Sequence, residues 1–289
     1  MKAKRHYRLP SGKELTVGEG TLVMGILNVT PDSFSDGGKW NTLDQALDHA
    51  LSMVEDGAAI IDVGAESSRP GFVPVSAAEE IERLAPFLEH IVPKIPVPIS
   101  IDTFKAETAR AALRLGADIL NDIWGLQYAA EERGAMARVA AEYHAPVVVM
   151  HNQTGTVYRP DVIEAMQDFF RESCAIAEEA GVAKENLIFD PGIGFGKTPE
   201  TNIEVLHRLH ELMKLDGEAY PLLLGASRKS FIGYALDLPV EERLEATGAA
   251  TVLGVASGAS IVRVHDVKEI ARMCRMADVI LKGGKHGQD

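Results

Sequence analysis

The segment TLVMGILNV at residues 21–29 is an apolar run that ends in a polar residue, Asn28, and the rest of the chain repeats this pattern. Seven further runs of the same kind follow at residues 58–64, 97–102, 118–123, 146–151, 186–192, 221–227 and 260–266. Runs that are apolar throughout are typical of parallel strands that are covered on both faces. The pattern therefore predicts eight parallel strands.

Helical patterns separate the predicted strands. Apolar residues recur with helical spacing at residues 42–58, 77–92, 107–117, 130–144, 161–181, 201–214, 241–257 and 267–281. In the first of these, Asn41 or Thr42 is a suitable N-cap and Gly57 is a stop signal. Eight alternating strands and helices predict an α/β protein with a single-domain (β/α)8 TIM barrel, because the alternative open sheet usually has only about five or six strands.

Both ends of the chain lie outside the predicted barrel at residues 21–281. Residues 1–20 include RHYRLPSGKELTVG, which predicts a short β-hairpin that turns near residues 10–12 and closes the barrel bottom. Residues 282–289 predict a flexible tail. The basic N-terminus lacks the apolar region of a signal peptide, and no apolar run is long enough to span a membrane.

The composition restricts the possible partners. The 289 residues include 29 Lys and Arg against 42 Asp and Glu, which gives a formal net charge of −13. Binding to nucleic acid or to an anionic membrane needs clustered basic residues, so we expect neither partner. Cys174 and Cys274 lack further metal ligands at suitable spacing, so we expect reduced thiols and a cytoplasmic protein.

Polar residues concentrate where the predicted strands end, which is where TIM-barrel enzymes place their active sites. Four cationic residues occur there: Arg69, Lys229, Arg263 and His265. Together with glycine-rich loops they suit a phosphate or diphosphate ligand, although a salt bridge is the alternative role of any single arginine. Asn28 adds an oxygen that suits Mg²⁺, which takes few protein ligands and several phosphate oxygens.

Asp102 and Asp190 each follow an apolar strand and should be largely buried. A buried carboxylate needs a partner. A flat heterocycle with amino and ring N–H donors would be one, and Asn121 would add mixed donor and acceptor capacity. The alternative is a structural carboxylate paired with a lysine, and the candidates are Lys105, Lys197 and Lys229.

The segment GIGFGKT at residues 192–198 resembles a phosphate-binding loop only in part. A Walker A motif needs glycine where this chain has Pro191, and the glycine spacing does not fit a dinucleotide-binding fingerprint. We therefore interpret the segment as a glycine-rich loop that carries Phe195 and Lys197, and we exclude an ATPase and a dinucleotide enzyme.

Eight segments together resemble the dihydropteroate synthase family. They are MGILNVTPDSFSDGG, DVGAESSRPG, ISIDTFK, ILNDIWG, VVMHN, FDPGIGFGKTPETN, GASRKSFIG and GASIVRVHDV, in this order over residues 23–278. The resemblance implies condensation of 6-hydroxymethyl-7,8-dihydropterin diphosphate with 4-aminobenzoate to 7,8-dihydropteroate and diphosphate, a step of folate biosynthesis. It also implies Mg²⁺ as cofactor, sulfonamides as inhibitors and a homodimer, with residues 246–260 as a possible dimer face.

The resemblance further implies roles for individual residues. The pterin-binding residues are Asp102, Asn121, Ile123, Met150, Asp190, Lys229 and Arg263. The 4-aminobenzoate-binding residues are Ser68, Pro70, Phe195, Lys229 and Ser230. The diphosphate-binding residues are Asn28, Arg69, Arg263 and His265, and Asn28 is also the Mg²⁺ ligand. Phe34 and Asp36 lie on a mobile loop, and the catalytic residues are Asp102, Lys229 and Arg263.

The same resemblance suggests an SN1-like path, in which diphosphate leaves with Mg²⁺ assistance before the aniline nitrogen attacks the pterin methylene. We expect the loops at residues 30–38 and 65–74 to close over diphosphate. Ser68 stands where the family commonly has threonine, so a hydroxyl is kept. Four polar residues are expected to lie beside the site without direct ligand contact: Glu66, Asp122, His151 and Arg228.

Two other functions share parts of the pattern. A methyltetrahydrofolate-dependent methyltransferase of the same superfamily would share Asp102, Asn121 and Asp190, but it should lack the cationic segments SRKSF and RVHD that are present here. A non-catalytic pterin-binding paralogue would have lost a diphosphate-binding residue, and none is lost.

Overall fold

A computed structural model of the chain describes residues 2–29, 39–66, 75–159 and 161–284, with the backbone alone for 39–42. The chain begins with an antiparallel hairpin of β1 (Arg5–Arg8) and β2 (Glu14–Val17), as predicted. The strands that follow are β3 (Leu22–Asn28), β4 (Ile60–Gly64), β5 (Ile99–Asp102), β6 (Ile119–Asp122), β7 (Val147–Met150), β8 (Leu187–Asp190), β9 (Lys214–Leu215), β10 (Glu218–Ala219), β11 (Leu223–Leu224) and β12 (Ile261–Val264).

Within the described ranges, eight of these strands form one parallel sheet, in the order β11-β12-β3-β4-β5-β6-β7-β8. A parallel bridge between Phe189 of β8 and Leu222, which precedes β11, joins the two edges of the sheet. The sheet is thereby closed into a ring, and the predicted TIM barrel is confirmed. The short strands β9 and β10 form a separate antiparallel pair, which was not predicted.

Helices surround the barrel. In the described part of the chain they are α1 (Lys39–Glu55), α2 (Ala77–Ile91), α3 (Ala106–Arg114), α4 (Ala135–Tyr143), α5 (Val162–Glu179), α6 (Pro199–His207), α7 (Ser230–Leu236), α8 (Leu244–Ala256) and α9 (Val267–Leu281). Eight of them coincide with the predicted patterns. The helix α7 was not predicted, because seven residues are too few to show helical periodicity.

Several predicted helix bounds were wrong. The helix α1 begins at Lys39, so Asn41 and Thr42 lie in its first turn and neither is its N-cap. The helix α6 ends at His207, well before residue 214, because the chain continues as a 3-10 turn over Leu209–Met213. Helix ends depend on local caps that an apolar pattern does not reveal.

The strand register decides which residues face the barrel interior. Asp102 of β5 is aligned with Asn121 of β6, and Met150 of β7 with Asp190 of β8. Side chains alternate between the two faces of a strand, so residues that are aligned across neighbouring strands share one face. Because these four residues lie at the carboxyl ends of their strands, their side chains meet at the upper end of the barrel.

The N-terminal hairpin covers the opposite, lower end. Its apolar residues form one buried cluster with inward residues of the strands: Tyr7, Leu9, Leu15, Val17, Met24, Ile60, Ile119, Val148, Ile188, Leu223 and Ile261. The backbone N–H of Ser11 donates to Asp118 Oδ1 at 3.2 Å, and Lys13 Nζ donates to the Val97 carbonyl at 3.0 Å. These contacts fix the hairpin to the barrel, so the hairpin covers the lower end of the interior.

The predicted tail at residues 282–289 is described only as far as residue 284, where the chain forms a turn. Among the helices of the described ranges, none has the length and apolar character that a membrane crossing requires.

Candidate active site

The upper interior of the barrel contains a connected set of charged and amide side chains. Arg263 of β12 donates through Nε to Asp62 Oδ2 at 2.6 Å and through Nη2 to Asp102 Oδ2 at 2.8 Å. Asn121 Nδ2 donates to the same oxygen of Asp62 at 3.1 Å. One guanidinium group is therefore held between two carboxylates that come from adjacent strands, β4 and β5.

Asp62 is a residue of this network that the sequence analysis missed. It is fully buried (0% exposed), and its Oδ1 atom has no hydrogen-bond partner among the described residues. Its signal in the sequence is an aspartate inside the apolar run IIDVG, two residues before the strand ends at Gly64. The predicted site residues all came from strand ends and loops, although a buried charge in mid-strand also needs a partner.

Asp190 and Lys229 form the facing half of the site. A Cβ atom placed on Gly225 would lie 3.9 Å from Lys229 Nζ and 4.0 Å from Asp190 Oδ2, so both charged groups converge over this glycine. Lys229 also donates to the Ile193 carbonyl. Its Nζ lies 4.8 Å from the centre of the Phe195 ring, which is a cation–π contact.

Burial and an excess of carboxylates perturb the titration of these groups. Burial raises the pKa of Asp102 to about 7, while Arg263 opposes the shift and Asp62 adds to it. Burial likewise raises the pKa of Asp190, against the attraction of Lys229. Burial lowers the pKa of Lys229 to about 8, and Asp190 opposes this shift. Strongly perturbed groups of both signs in one cleft are typical of a functional site.

An apolar wall completes the interior of the site. Phe104, Ile123 and Met150 form a buried cluster, against which half-buried Trp124, Tyr128 and Phe195 pack. Aromatic rings and a thioether suit a flat ligand, which they contact through its faces. The contributions of Phe104, Trp124 and Tyr128 were not predicted; their signal is an aromatic residue within a few positions of a strand end.

Two predicted phosphate-binding residues lie at the rim. His265 Nδ1 is 3.0 Å from Ser227 Oγ, and the His265 backbone N–H donates to the same oxygen at 3.2 Å. Asn28 is exposed at the end of β3 and is aligned with Gly64. In the described part of the chain, no group of three or more His, Cys, Asp or Glu side chains could hold a metal ion. A single Asn28 oxygen still fits Mg²⁺, which keeps several waters and phosphate oxygens.

Some predicted residues lie outside the described ranges: Phe34, Asp36, Ser68, Arg69 and Pro70. The same holds for residues 30–38 and for most of 65–74, so the structure does not test the expected loop closure. Ser230 is exposed at the first position of α7, next to Lys229.

The residues expected to lie beside the site have partners of their own. Glu66 accepts from Lys105 and from the backbone N–H of Val75. The other pairings are Asp122 with the backbone N–H groups of Trp124 and Leu126, His151 with Lys197, and Arg228 with Asp266. Lys105 also binds Glu80 at 3.0 Å, so it is engaged with glutamates, and the alternative in which it pairs with Asp102 was wrong.

Three comparisons with known proteins, by family model, by sequence and by structure, agree on the family of this chain. The family model described as pterin binding enzyme matches residues 24–265. The dihydropteroate synthase of Bacillus subtilis (strain 168) is 54% identical over 273 residues, which are 94% of this chain and 93% of that protein.

Two solved structures are similar over nearly the whole chain. The dihydropteroate synthase of Clostridium difficile, crystallised in the presence of pteroic acid, has a TM-score of 0.86 at 51% identity, with 91% of this chain and 98% of that chain covered. The Yersinia pestis enzyme in a sulfonamide drug complex has a TM-score of 0.83 at 40% identity, with coverages of 93% and 97%. The chain therefore belongs to the dihydropteroate synthase family of pterin-binding enzymes.

Proposed function

We propose that this chain is a dihydropteroate synthase, a transferase that joins 6-hydroxymethyl-7,8-dihydropterin diphosphate to 4-aminobenzoate and releases diphosphate. The observation that carries the proposal is the network of Asp62, Arg263, Asp102 and Asn121, which faces Asp190 and Lys229 inside the barrel. Identity of 54% to a named dihydropteroate synthase favours this activity over a methyltransferase or a non-catalytic paralogue.

The buried carboxylates do not have a full set of hydrogen-bond partners within the protein. In the proposed site, the pterin supplies the missing donors. Asp190 would accept from the amino group and ring N–H edge, Asn121 would contact the same edge, and Asp102 would bind a further ring nitrogen. Lys229 would donate to the pterin carbonyl. The apolar wall with Ile123 and Met150 would contact the ring face.

The proposed reaction begins with cleavage of the bond between the pterin methylene carbon and the diphosphate oxygen. The electron pair leaves with diphosphate, and positive charge develops on a methylene group that is conjugated with the pterin. The excess of carboxylate over cationic side chains in the barrel stabilises that charge, because electrostatic interactions are strong in a water-poor interior. The aniline nitrogen then forms the new C–N bond, and the proton that it loses passes to the released diphosphate.

The rim would hold the leaving group. We propose that His265, Arg263 and Arg69 bind diphosphate and that Phe195, Lys229 and Ser230 shape the aminobenzoate side with Ser68 and Pro70. Mg²⁺ bound at Asn28 would neutralise part of the diphosphate charge and so make it a better leaving group. Sulfonamides would compete with 4-aminobenzoate, as the drug complex of the Yersinia pestis relative suggests. We further propose a cytoplasmic location, with small molecules rather than nucleic acid or membrane as partners.

Replacing the charged residues that face the ligand should abolish most activity. We expect Asp190→Asn, Lys229→Ala and Arg263→Ala each to lower turnover by about 100-fold, since each removes a preorganised charge or hydrogen bond. The measurement is a coupled diphosphate-release assay with both substrates and Mg²⁺. Arg171→Ala, which removes an exposed arginine paired with Asp216, is the control and should leave turnover unchanged. Unaltered rates in all three site variants would contradict the assignment.

Asp62→Asn tests the network beneath the ligand. The change keeps shape but removes the negative charge that raises the pKa of Asp102, so the acidic limb of the pH–turnover profile should move to lower pH. That limb lies near pH 7 in the unmodified protein if ionised Asp102 is the active form, because activity is lost as pH falls through the pKa of about 7. Turnover itself should fall about tenfold.

The matched control for Asp62→Asn is Asp118→Asn, which removes an equally buried aspartate at the lower end of the barrel. Asp118 accepts from the backbone N–H of Ile99 at 3.1 Å and of Ser11 at 3.2 Å, so its loss should lower the thermal midpoint without moving the pH profile. A profile that is the same in Asp62→Asn and in the unmodified protein would remove Asp62 from the functional network.

The order of bond breaking can be measured with substrate that carries deuterium on the pterin methylene. If diphosphate leaves before the aniline nitrogen attacks, the methylene carbon becomes trigonal in the transition state, and a secondary isotope effect clearly above unity is expected. A value close to unity would instead indicate concerted displacement. Substrate with deuterium at a position remote from the methylene is the control and should show no effect.

We also propose a homodimer that forms through α8 and α9. The two helices pack on each other and expose large apolar side chains, with Leu253 69%, Met276 58% and Ile280 64% accessible. Large apolar side chains that are exposed on packed helices are consistent with an interface. Sedimentation velocity should give twice the chain mass of 31.2 kDa, and Leu253→Glu should return it to the monomer value. A monomeric unmodified protein would refute the interface.

A further inference from the structure

Lys197 is a buried lysine that the proposed reaction does not use. Its side chain is 8% exposed, and Nζ donates to His151 Nδ1 at 2.9 Å, to the Gly192 carbonyl at 3.0 Å and to the Phe195 carbonyl at 3.1 Å. None of these partners is a carboxylate. Burial lowers the pKa of Lys197 to about 7, with the nearby Asp190 opposing the shift. A lysine that is kept in such a place without an ionic partner requires an explanation.

His151, which directly follows β7, provides a fixed hydrogen-bond acceptor for Lys197. Burial lowers the pKa of His151 to about 2, so the ring is neutral at physiological pH. Because Nδ1 accepts from Lys197, the ring proton is assigned to Nε2. The His151 ring packs edge-on against Phe169, with 4.9 Å between the ring centres, which holds its orientation. Lys197 therefore has one rigid acceptor on the strand side and two on the loop.

Glycine makes the loop conformation possible. Gly192, Gly194 and Gly196 have φ values of +62°, +86° and +55°, in the left-handed region. A Cβ atom on Gly192 would lie 2.0 Å from the His151 carbonyl oxygen, so no side chain fits there. The loop turns three carbonyls toward two ammonium groups. The Ile193 carbonyl accepts from Lys229, and the carbonyls of Gly192 and Phe195 accept from Lys197.

The loop amides are directed at other acceptors. The backbone N–H of Gly192 donates to Asp190 Oδ1 at 2.7 Å, and that of Gly194 donates to Asn202 Oδ1 at 2.7 Å. The segment that resembles a phosphate-binding loop therefore binds cationic side chains through its carbonyls. Three of its N–H groups are already engaged, because the Phe195 N–H donates to the Gly192 carbonyl at 3.0 Å. Phe195, whose ring contacts Lys229, belongs to the same loop.

We propose that Lys197 is a positioning residue for the 4-aminobenzoate side of the site. By holding the carbonyls of Gly192 and Phe195 it keeps the loop in the conformation that places the Phe195 ring and the Ile193 carbonyl against Lys229. This inference rests on the proposed function, since it assigns Lys197 to one substrate of that reaction. It accounts for a buried lysine surrounded by neutral acceptors and for the three left-handed glycines.

The test is Lys197→Met, which keeps the length of the buried side chain and removes the ammonium group. We expect KM for 4-aminobenzoate to rise about tenfold, while KM for the pterin diphosphate changes less than about threefold, because the hydrogen bonds of Lys197 go to His151, Gly192 and Phe195, none of which is assigned to the pterin. The matched control is Lys2→Met at the lower end of the barrel, where Nζ donates to Thr21 Oγ1 at 2.8 Å. It should lower the thermal midpoint and leave both KM values unchanged.

Lys197→Arg is a second variant that keeps a donor, and it should recover part of the 4-aminobenzoate affinity. Equal changes of both KM values in Lys197→Met, or a lower thermal midpoint with both KM values unchanged, would overturn the positioning role. Misfolding of both Lys197 variants while Lys2→Met folds would also overturn it, in favour of a purely structural lysine. Failure of the proposed function is distinguished from these results, because the unmodified protein would then release no diphosphate.

Discussion

The placement of Arg263 between two buried carboxylates is the interaction on which the site depends. Moving a charged group out of water is costly, and the cost is offset only by close partners with good geometry. Asp62 and Asp102 supply such partners at 2.6 and 2.8 Å. Three carboxylates nevertheless share two cations in this space, when Asp190 and Lys229 are included. The interior is thus left with acceptor capacity that a ligand rich in N–H donors would satisfy, and with a field that favours positive charge.

The two ends of the barrel make this arrangement possible in different ways. The lower interior is filled by the apolar cluster that the hairpin shares with the strands. The upper interior is polar because Asp62, Asp102, Asn121 and Arg263 form a hydrogen-bonded network there, with Asp102 and Asn121 aligned in register. The proposed ligand would therefore approach from the carboxyl end of the barrel.

The sequence predicted the barrel well because continuous apolar runs are a direct consequence of strands buried on both faces. It predicted Asp102, Asp190 and Asn121 because polar residues at the ends of such runs have few other uses. It gave a signal for Asp62, an aspartate inside an apolar run, but not its partners, because these depend on the register of neighbouring strands rather than on one run. The pairing of Lys105 with Glu66 and Glu80 was not predicted either, because residues that are far apart in sequence meet only in the folded chain.

The glycine-rich loop shows that the spacing of glycines in a motif does not by itself predict what the loop binds. Glycine permits a left-handed backbone, but a left-handed residue by itself does not decide which groups converge, because that depends on the torsion angles of the neighbouring residues as well. In a phosphate-binding loop the N–H groups converge, whereas here the carbonyls of Gly192, Ile193 and Phe195 converge on two lysines. In this chain the residue before the loop contributes to that difference. Asp190 captures the Gly192 N–H at 2.7 Å. With that donor directed at a carboxylate, the carbonyl face is left to meet the buried cations. An acidic residue two positions before the first glycine is thus a physical reason to expect a loop that holds ammonium groups.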